Sequence, residues 1–232
     1  MRFESEAQLL LDFFNKIRGE EYTINIDTTG WHVRCIDMNV LFTDAHLNPQ
    51  VFSVYPQLEK SENFTINNSA KLLSFLNRFK GKIAIELSGK KIIISSDKRQ
   101  ADITLGREGL EGEVNLPKKL NYDKVFKIKT DTISEAIKNA DLLKVPVFDF
   151  EVKDKIFTIT IKSTTDSFIE KESVEFENAK SRFGDSIKEI FSHISGEVEI
   201  GFETGFPLIV KYADKYSTAL YVLAPITENK QV

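Results

Sequence analysis

At 232 residues the chain is too long for a disulfide-stapled miniprotein and fits one large domain or two domains of about 115 residues. With 41% hydrophobic and 28% charged residues, 11 Gly and 6 Pro, it has the composition of an ordinary soluble globular protein and excludes a disordered or low-complexity chain. A formal charge of -4 excludes nucleic-acid binding by bulk electrostatics, so any such role needs local asymmetry. The single cysteine, Cys35, excludes an internal disulfide and multi-cysteine zinc sites. Met1 to Ala7 has no basic stretch leading into an apolar run, and no window approaches the length of a membrane helix, so an intracellular, membrane-free protein is expected. Eighteen Phe against 2 Met and 1 Trp favour sheet and tightly packed helix faces.

Leu9, Leu10, Phe13, Phe14 and Ile17 recur at helical spacing and predict a first helix starting near Ser5 or Glu6. Alternation then takes over: Ile24 and Ile26, a turn at Thr29-Gly30, and Trp31, Val33 and Cys35 predict a hairpin, with further strand material to Tyr55-Pro56. Asn68-Ser69 are candidate caps of a second helix carrying Leu72, Leu73, Leu76 and Phe79 and stopping near Gly81. A hairpin follows, with Ile83, Ile85 and Leu87 before Ser88-Gly89, and Ile92 and Ile94 after it.

The second half repeats this order. Val125 to Ile128 reads as a strand, and Asp131 as the cap of a helix carrying Ile133, Ile137, Ala140 and Leu143, ended before Pro146. A hairpin turns at Asp154-Lys155. A fourth helix is expected over Phe183, Ile187, Ile190, Phe191 and Ile194, ended by Gly196. A closing hairpin around Thr204-Gly205 and a last strand, Ala219 to Leu223, complete the chain. The run Ile83-Ala84-Ile85-Glu86-Leu87 matches Val198-Glu199-Ile200-Gly201-Phe202, each directly after a helix, as a tandem duplication predicts. The turn-rich segment between the copies, with Gly106, Gly109, Gly112 and Pro117, reads as a connector. The expected division is 1-107, a connector at 108-124, and 125-232.

Charge is unevenly spread. Residues 68 to 82 carry +4, from Lys71, Arg78, Lys80 and Lys82 with no acid, and the four expected helices together carry +4 against -8 elsewhere. Such asymmetry suits phosphate binding, although basic solvated helix faces are an equally simple account. Catalytic patterns are missing: there is no C-x-x-C, H-E-x-x-H or G-x-S-x-G, and Leu76 and Ala84 stand where a P-loop needs its first glycine. His32, His46 and His193 are scattered, and Cys35 shares a strand face with Trp31 and Val33, as a buried small hydrophobe would. No catalytic residue, metal site or cofactor is expected.

The order strand, helix, strands, helix, strands, given twice around a connector, resembles the DNA polymerase sliding clamps of the proliferating cell nuclear antigen type. Three segments carry the resemblance: Gly30 to Asp37, ending in Ile36-Asp37; Phe206-Pro207-Leu208-Ile209-Val210-Lys211-Tyr212; and Leu220-Tyr221-Val222-Leu223-Ala224-Pro225-Ile226. The chain is somewhat shorter than most such clamps, Met38-Asn39-Val40-Leu41-Phe42 departs from the family's usual wording, and the first helix sets Glu6 and Asp12 beside Lys16 and Arg18. An archaeal and a viral origin both fit these departures.

The resemblance implies an α+β fold of two tandem clamp modules, helices on one face of antiparallel sheets, assembling into a closed ring, most simply a homotrimer. It implies a processivity factor for DNA polymerase that encircles duplex DNA without reading sequence, and a docking platform for a clamp loader and for ligase and nuclease clients in replication and repair. Candidate DNA-facing residues are Lys16, Arg18, Lys71, Arg78, Lys80, Lys138, Lys144, Arg182 and Lys188. Ring closure in the family pairs edge strands, here Ala101 to Gly106 with Ile103 and Leu105, and Ser173 to Asn178 with Val174 and Phe176. The partner-peptide pocket would use Ile36, Leu41, Pro207, Val222, Ala224, Pro225 and Ile226, with Leu116, Leu120 and Tyr122 of the connector. The location implied is with the DNA, in cytoplasm or nucleoid, or in a host compartment for a viral protein. A two-module adaptor that binds protein without encircling DNA, and an enzyme whose site has no sequence signature, remain open alternatives.

Overall fold

The computed structural model describes residues 1–38, 40–106, 124–176 and 178–226. They form two units. The first holds Met1–Asp37, the described residues from Phe42 onward to 106, and Ala213–Ala219; the second holds Met38–Leu41, the described residues from 124 to Tyr212, and those from Leu220.

The first unit begins with β1 (Arg2–Glu6) and α1 (Ala7–Phe14), followed by β2 (Tyr22–Asp27), β3 (Gly30–Asp37) and β4 (Leu41–Leu47). A 3-10 turn at Pro49–Val51 leads into β5 (Phe52–Val54) and β6 (Glu62–Ile66). Then come α2 (Ser69–Leu76), β7 (Lys82–Ser88), β8 (Lys91–Ser96) and β9 (Arg99–Thr104). One sheet runs β5-β1-β7-β8-β9 and a second β4-β3-β2-β6. The strands alternate as predicted, so Phe3, Ile83, Ile85, Ile92 and Ile94 share the buried face of the first sheet, and Ile24, Ile26, Trp31 and Val33 are buried in the second. Phe3, Trp31 and Phe52 pack ring against ring, with centroids 5.0 to 5.4 Å apart. Gly30 opens β3 at φ 138, where a Cβ would stand 2.1 Å from the Leu47 carbonyl oxygen; only glycine permits this close pairing. Asn68 caps α2 as expected, its side chain accepting from the Lys71 N–H at 2.8 Å.

The second unit consists of β10 (Val125–Lys129), α3 (Thr130–Leu143), β11 (Phe148–Lys153), β12 (Ile156–Lys162), β13 (Ser167–Ser173), β14 (Ala179–Phe183), α4 (Ile187–Phe191), β15 (Glu197–Gly201), β16 (Leu208–Ala213) and β17 (Ser217–Leu223), the last two lending their facing ends to the first unit. Its sheets run β10-β15-β16-β17 and β13-β12-β11-β14. The hairpin between β11 and β12 turns on Asp154 and Lys155, both left-handed at φ 51 and 62, the geometry of a tight two-residue hairpin. Phe150 is wholly buried and meets Phe157, Phe183 and Phe202 at near-perpendicular angles.

The two orders are the same. β1-β7-β8-β9 corresponds to β10-β15-β16-β17, and β4-β3-β2-β6 to β13-β12-β11-β14, so the duplication read from two short hairpins extends to every strand but β5. Equivalent strands begin 126 residues apart at β4 and β13 but 117 apart at β6 and β14; the nine extra residues of the first unit hold the 3-10 turn and β5.

Three local expectations differ. β1 is implied by the repeated order but its residues were not placed, because a five-residue strand running straight into a helix leaves no turn signal. The fourth helix is confined to Ile187–Phe191: Ala179–Phe183 is a strand paired with β11, and Phe183 belongs to the aromatic core. The expected edge strand Ser173 to Asn178 is not formed by its described residues 174 to 176, since β13 ends at Ser173. Val174 is buried and Phe176, half-buried, packs on Phe126 and Phe202, so these two apolar residues face inward.

Lys16 follows α1 and turns inward. Only 6% exposed, its Nζ donates to an Asp214 carboxylate oxygen and, at 2.8 Å, to Ser217 Oγ. Burial alone would raise the Asp214 pKa, but the bond from Lys16 and the N–H groups of Tyr216 and Ser217 outweigh it and hold the carboxyl below its ordinary value. Lys16→Ala leaves a partly buried carboxylate unpaired and is expected to cost about 2 kcal/mol, the partial exposure of Asp214 keeping it below a fully buried pair. A group with a depressed folded pKa stabilises above its unfolded value of about 3.9 and ceases to do so as pH falls through the folded value. The stability gap between wild type and Asp214→Asn, read from urea unfolding, is therefore expected at neutral pH and should close in strong acid.

Candidate nucleic-acid and partner surfaces

Basic residues were expected on the helices; the structure moves most of them. Lys16 is interior. Arg182 lies on β14, its Nε bonded to Asp149 Oδ1 at 2.7 Å, and not on a helix. Lys188, on α4, pairs with Asp141 of α3 and, at 2.6 Å, with Asp185; burial would lower its pKa, and the two carboxylates outweigh that and raise it. Lys138 pairs with Glu135 one turn back at 2.5 Å. Lys144 caps α3 in the left-handed region and shares a cleft of about 540 Å³ with Arg182 and Lys162. Arg18 follows α1, its carbonyl accepting from the Cys35 thiol at 2.8 Å. Burial pushes that thiol up to about 12, which removes Cys35 as a nucleophile at neutral pH.

Of the expected helix cations, Lys71 is exposed on α2 with Nζ 5.8 Å from the Phe75 ring centroid, and Arg78, just beyond the helix, stands 6.0 Å from the same centroid. Lys80 is exposed in the turn before β7. The +4 of residues 68 to 82 thus lies mostly past the end of α2. The sequence pattern missed this because Arg78, Phe79 and Lys80 continue helical spacing after the α-helix has ended: the N–H groups of Arg78 and Phe79 donate three residues back, to Phe75 and Leu76, and Gly81 at φ 70 turns the chain away.

The apolar candidates divide by burial. Leu41 is 1% and Val222 4% exposed, so both are core and out of reach of a docked peptide. Ala224 and Pro225 are half-buried and Ile226 is 41% exposed. This C-terminal leg is fixed at two points: the Ala224 N–H donates to the Val40 carbonyl at 2.9 Å and the Ile226 N–H to the Arg182 carbonyl at 2.8 Å. Val40, bonded to this leg, is 38% exposed and Met38, two residues earlier in the chain, 86% exposed, and the Ile226 side chain approaches the backbone at Gly184. The second unit therefore carries four apolar residues open to solvent or half-buried, Met38, Val40, Pro225 and Ile226, with Val40 tied to the C-terminal leg. Met38 and Val40 were missed; their signal was two hydrophobes in a turn that would ordinarily be polar. Pro207 is half-buried, and Ile36, in the first unit, is exposed. Leu116, Leu120 and Tyr122 lie outside the described residues.

Among the described residues six strands have only one neighbour: β5, β6, β9, β10, β13 and β14; of these β9 pairs with β8 and β13 with β12. Ile103 is buried on the inner face of β9, with Leu105 half-buried just beyond it; on β13, Ile169 is exposed. No group of three or more His, Cys, Asp or Glu gathers as a metal site among the described residues.

No protein-family model and no curated protein matches the sequence. Solved structures do. The PCNA of A. fulgidus, determined with the C-terminal region of FEN-1 bound, superposes with a TM-score of 0.87 at 18% identity over 99% of each chain. Its fold is the PCNA fold. PCNA of Thermococcus kodakaraensis matches at 0.81 and 18% identity over 97% of this chain and 99% of that one, and the proliferating cellular nuclear antigen of Entamoeba histolytica at 0.80 and 16% over the same shares. The expectation of an α+β fold with two copies of the clamp module is met.

Burial predicts how the apolar residues respond to truncation. Leu41→Ala should cost about 3 kcal/mol in denaturant unfolding, through lost transfer energy and a cavity. Ile226→Ala and Met38→Ala should each cost less than about 1 kcal/mol, because most of the removed surface is already in water.

Proposed function

We propose that the chain is a subunit of a DNA sliding clamp, a non-catalytic ring that holds a polymerase on duplex DNA and presents docking sites to replication and repair proteins. The observation that carries this reading is the superposition on PCNA across 99% of both chains. The working division is 1-107, 108-124 and 125-232, and the working location is with the DNA inside the cell.

Head-to-tail closure needs two different edges on one subunit, and β9 and β13, two of the six terminal strands, would supply them. Pairing β9 of one copy with β13 of the next would satisfy edge N–H and C=O groups and cover Ile169. Three such contacts close a trimer. The S. tokodaii PCNA2-PCNA3 complex, at 20% identity and a TM-score of 0.79, is a precedent for association between subunits of this fold. The apolar residues Met38, Val40, Pro225 and Ile226 suit a client segment with aliphatic and aromatic anchors, and the bound FEN-1 segment in the A. fulgidus structure is a precedent for a docked client.

Native mass spectrometry should give three times 26.5 kDa, and Ile169→Asp should shift the population to single chains by placing a charge in the seam. Phe176→Asp should instead unfold the second unit, since it sets a carboxylate between Phe126 and Phe202. Salt-resistant retention on closed circular DNA, lost when the circle is cut, is the expected mark of encirclement. A strict monomer, or equal retention on linear DNA, would favour the non-encircling adaptor.

A further inference from the structure

The cations past α2 converge with others on the outward face of the sheet β5-β1-β7-β8-β9. In cross-strand register Glu4 faces Ala84 and Ala84 faces Ser95, one row across β1, β7 and β8. The equivalent row of the second unit is Lys127, Glu199 and Lys211, and there Lys211 reaches Glu199 at 2.7 Å while Lys127 bonds Glu197 at 3.0 Å. Where the second copy fills this face with a ladder of long paired charges, the first has a methyl and a hydroxymethyl. The result is a trough of about 790 Å³ floored by Ala84 and Ser95 and rimmed by Arg2, Arg78, Lys80, Lys82, Lys98 and Arg99.

Six cations face two carboxylates, Glu4 and Asp97. Lys82 and Arg2 bond Glu4 at 2.8 and 2.9 Å, and these bonds hold its carboxyl below the ordinary value, so it stays ionised and already engaged. An Arg99 guanidinium nitrogen donates to the Arg78 carbonyl, which ties the β8–β9 turn to the end of α2. Arg78, Lys80 and Lys98 have no ion-pair partner among the described residues. A row of cations around a floor with few groups for side-chain or base recognition suits a ligand of repeating negative charge bound without regard to sequence.

We propose that this trough binds the phosphodiester backbone of nucleic acid, a contact supplied by sheet and turn residues in addition to the helices. The choice of nucleic acid over another polyanion rests on the clamp reading; the trough itself does not.

The test is fluorescence anisotropy of a labelled short linear duplex with the full chain over a salt series. Each phosphate neutralised contributes about 0.9 to the slope of log affinity against log salt, so Lys80→Gln/Lys98→Gln should reduce that slope by nearly two. Lys60→Gln, an exposed lysine outside the trough, should leave it unchanged. Ala84→Glu/Ser95→Lys rebuilds part of the second unit's ladder at constant net charge and should lower affinity at least tenfold by filling the floor. A wild-type slope in both double variants, or a wild-type chain that binds polyglutamate and not the duplex, overturns the proposal. The linear duplex requires no encirclement, so failure here is separable from failure of the ring, which is read on closed circles.

Discussion

Phe150 is surrounded edge to face by Phe157, Phe183 and Phe202, and this set of rings fixes which face of β11, β12 and β14 looks inward. In a sheet the side-chain period is two, so once one residue per strand is committed to such a core its neighbours are committed to the outside. Phe3, Trp31 and Phe52 impose the same constraint on the first unit. The outward faces and the outer edges of the sheets are then the places where sequence can vary without disturbing the fold. Both proposed functions occupy those places: strand edges for assembly, and an outward sheet face for phosphate.

The duplication was legible because inward alternation repeats in hairpins such as Ile83–Leu87 and Val198–Phe202, and neither copy can lose it without losing its core. What was not legible is where helical spacing stops being helix. Phe183, Ile187, Ile190, Phe191 and Ile194 are spaced for one helical face, yet Phe183 is a strand residue and only Ile187–Phe191 is helical. Both conformations place Phe183 in the same core, so its burial carries no information about its backbone. The same ambiguity put Arg78 and Lys80 on a helix that ends at Leu76.

The candidate site was readable in chemistry and unreadable in placement. Leu41 and Ile226 look alike as aliphatic residues near the resembling segments, but one is buried at the start of a strand and the other ends a leg held by two backbone hydrogen bonds, with its side chain largely in solvent. Lys16 and Lys71 look alike as helix-associated lysines. A carboxylate 198 residues away, on Asp214, draws the first inward, and no local pattern encodes a partner at that separation.

The two copies share a topology and differ in electrostatics, and the difference lies where the core constraint is silent. In the second unit Lys127, Lys138, Arg182, Lys188 and Lys211 each have a carboxylate within 3.0 Å, so much of its positive charge is spent internally. The first unit substitutes Ala84 and Ser95 at two positions of the same row and gathers Arg78, Lys80, Lys98 and Arg99 around the space this opens. Exposed ion pairs contribute little to stability, about 0 to 1 kcal/mol each, so removing the ladder from one copy costs the fold little. Concentrating unpaired cations in one place changes the local potential far more than a net charge of -4 suggests, because screening over about 10 Å isolates the trough from the acids elsewhere on the surface. A duplicated scaffold can therefore keep the same topology in both copies while only one becomes attractive to a polyanion.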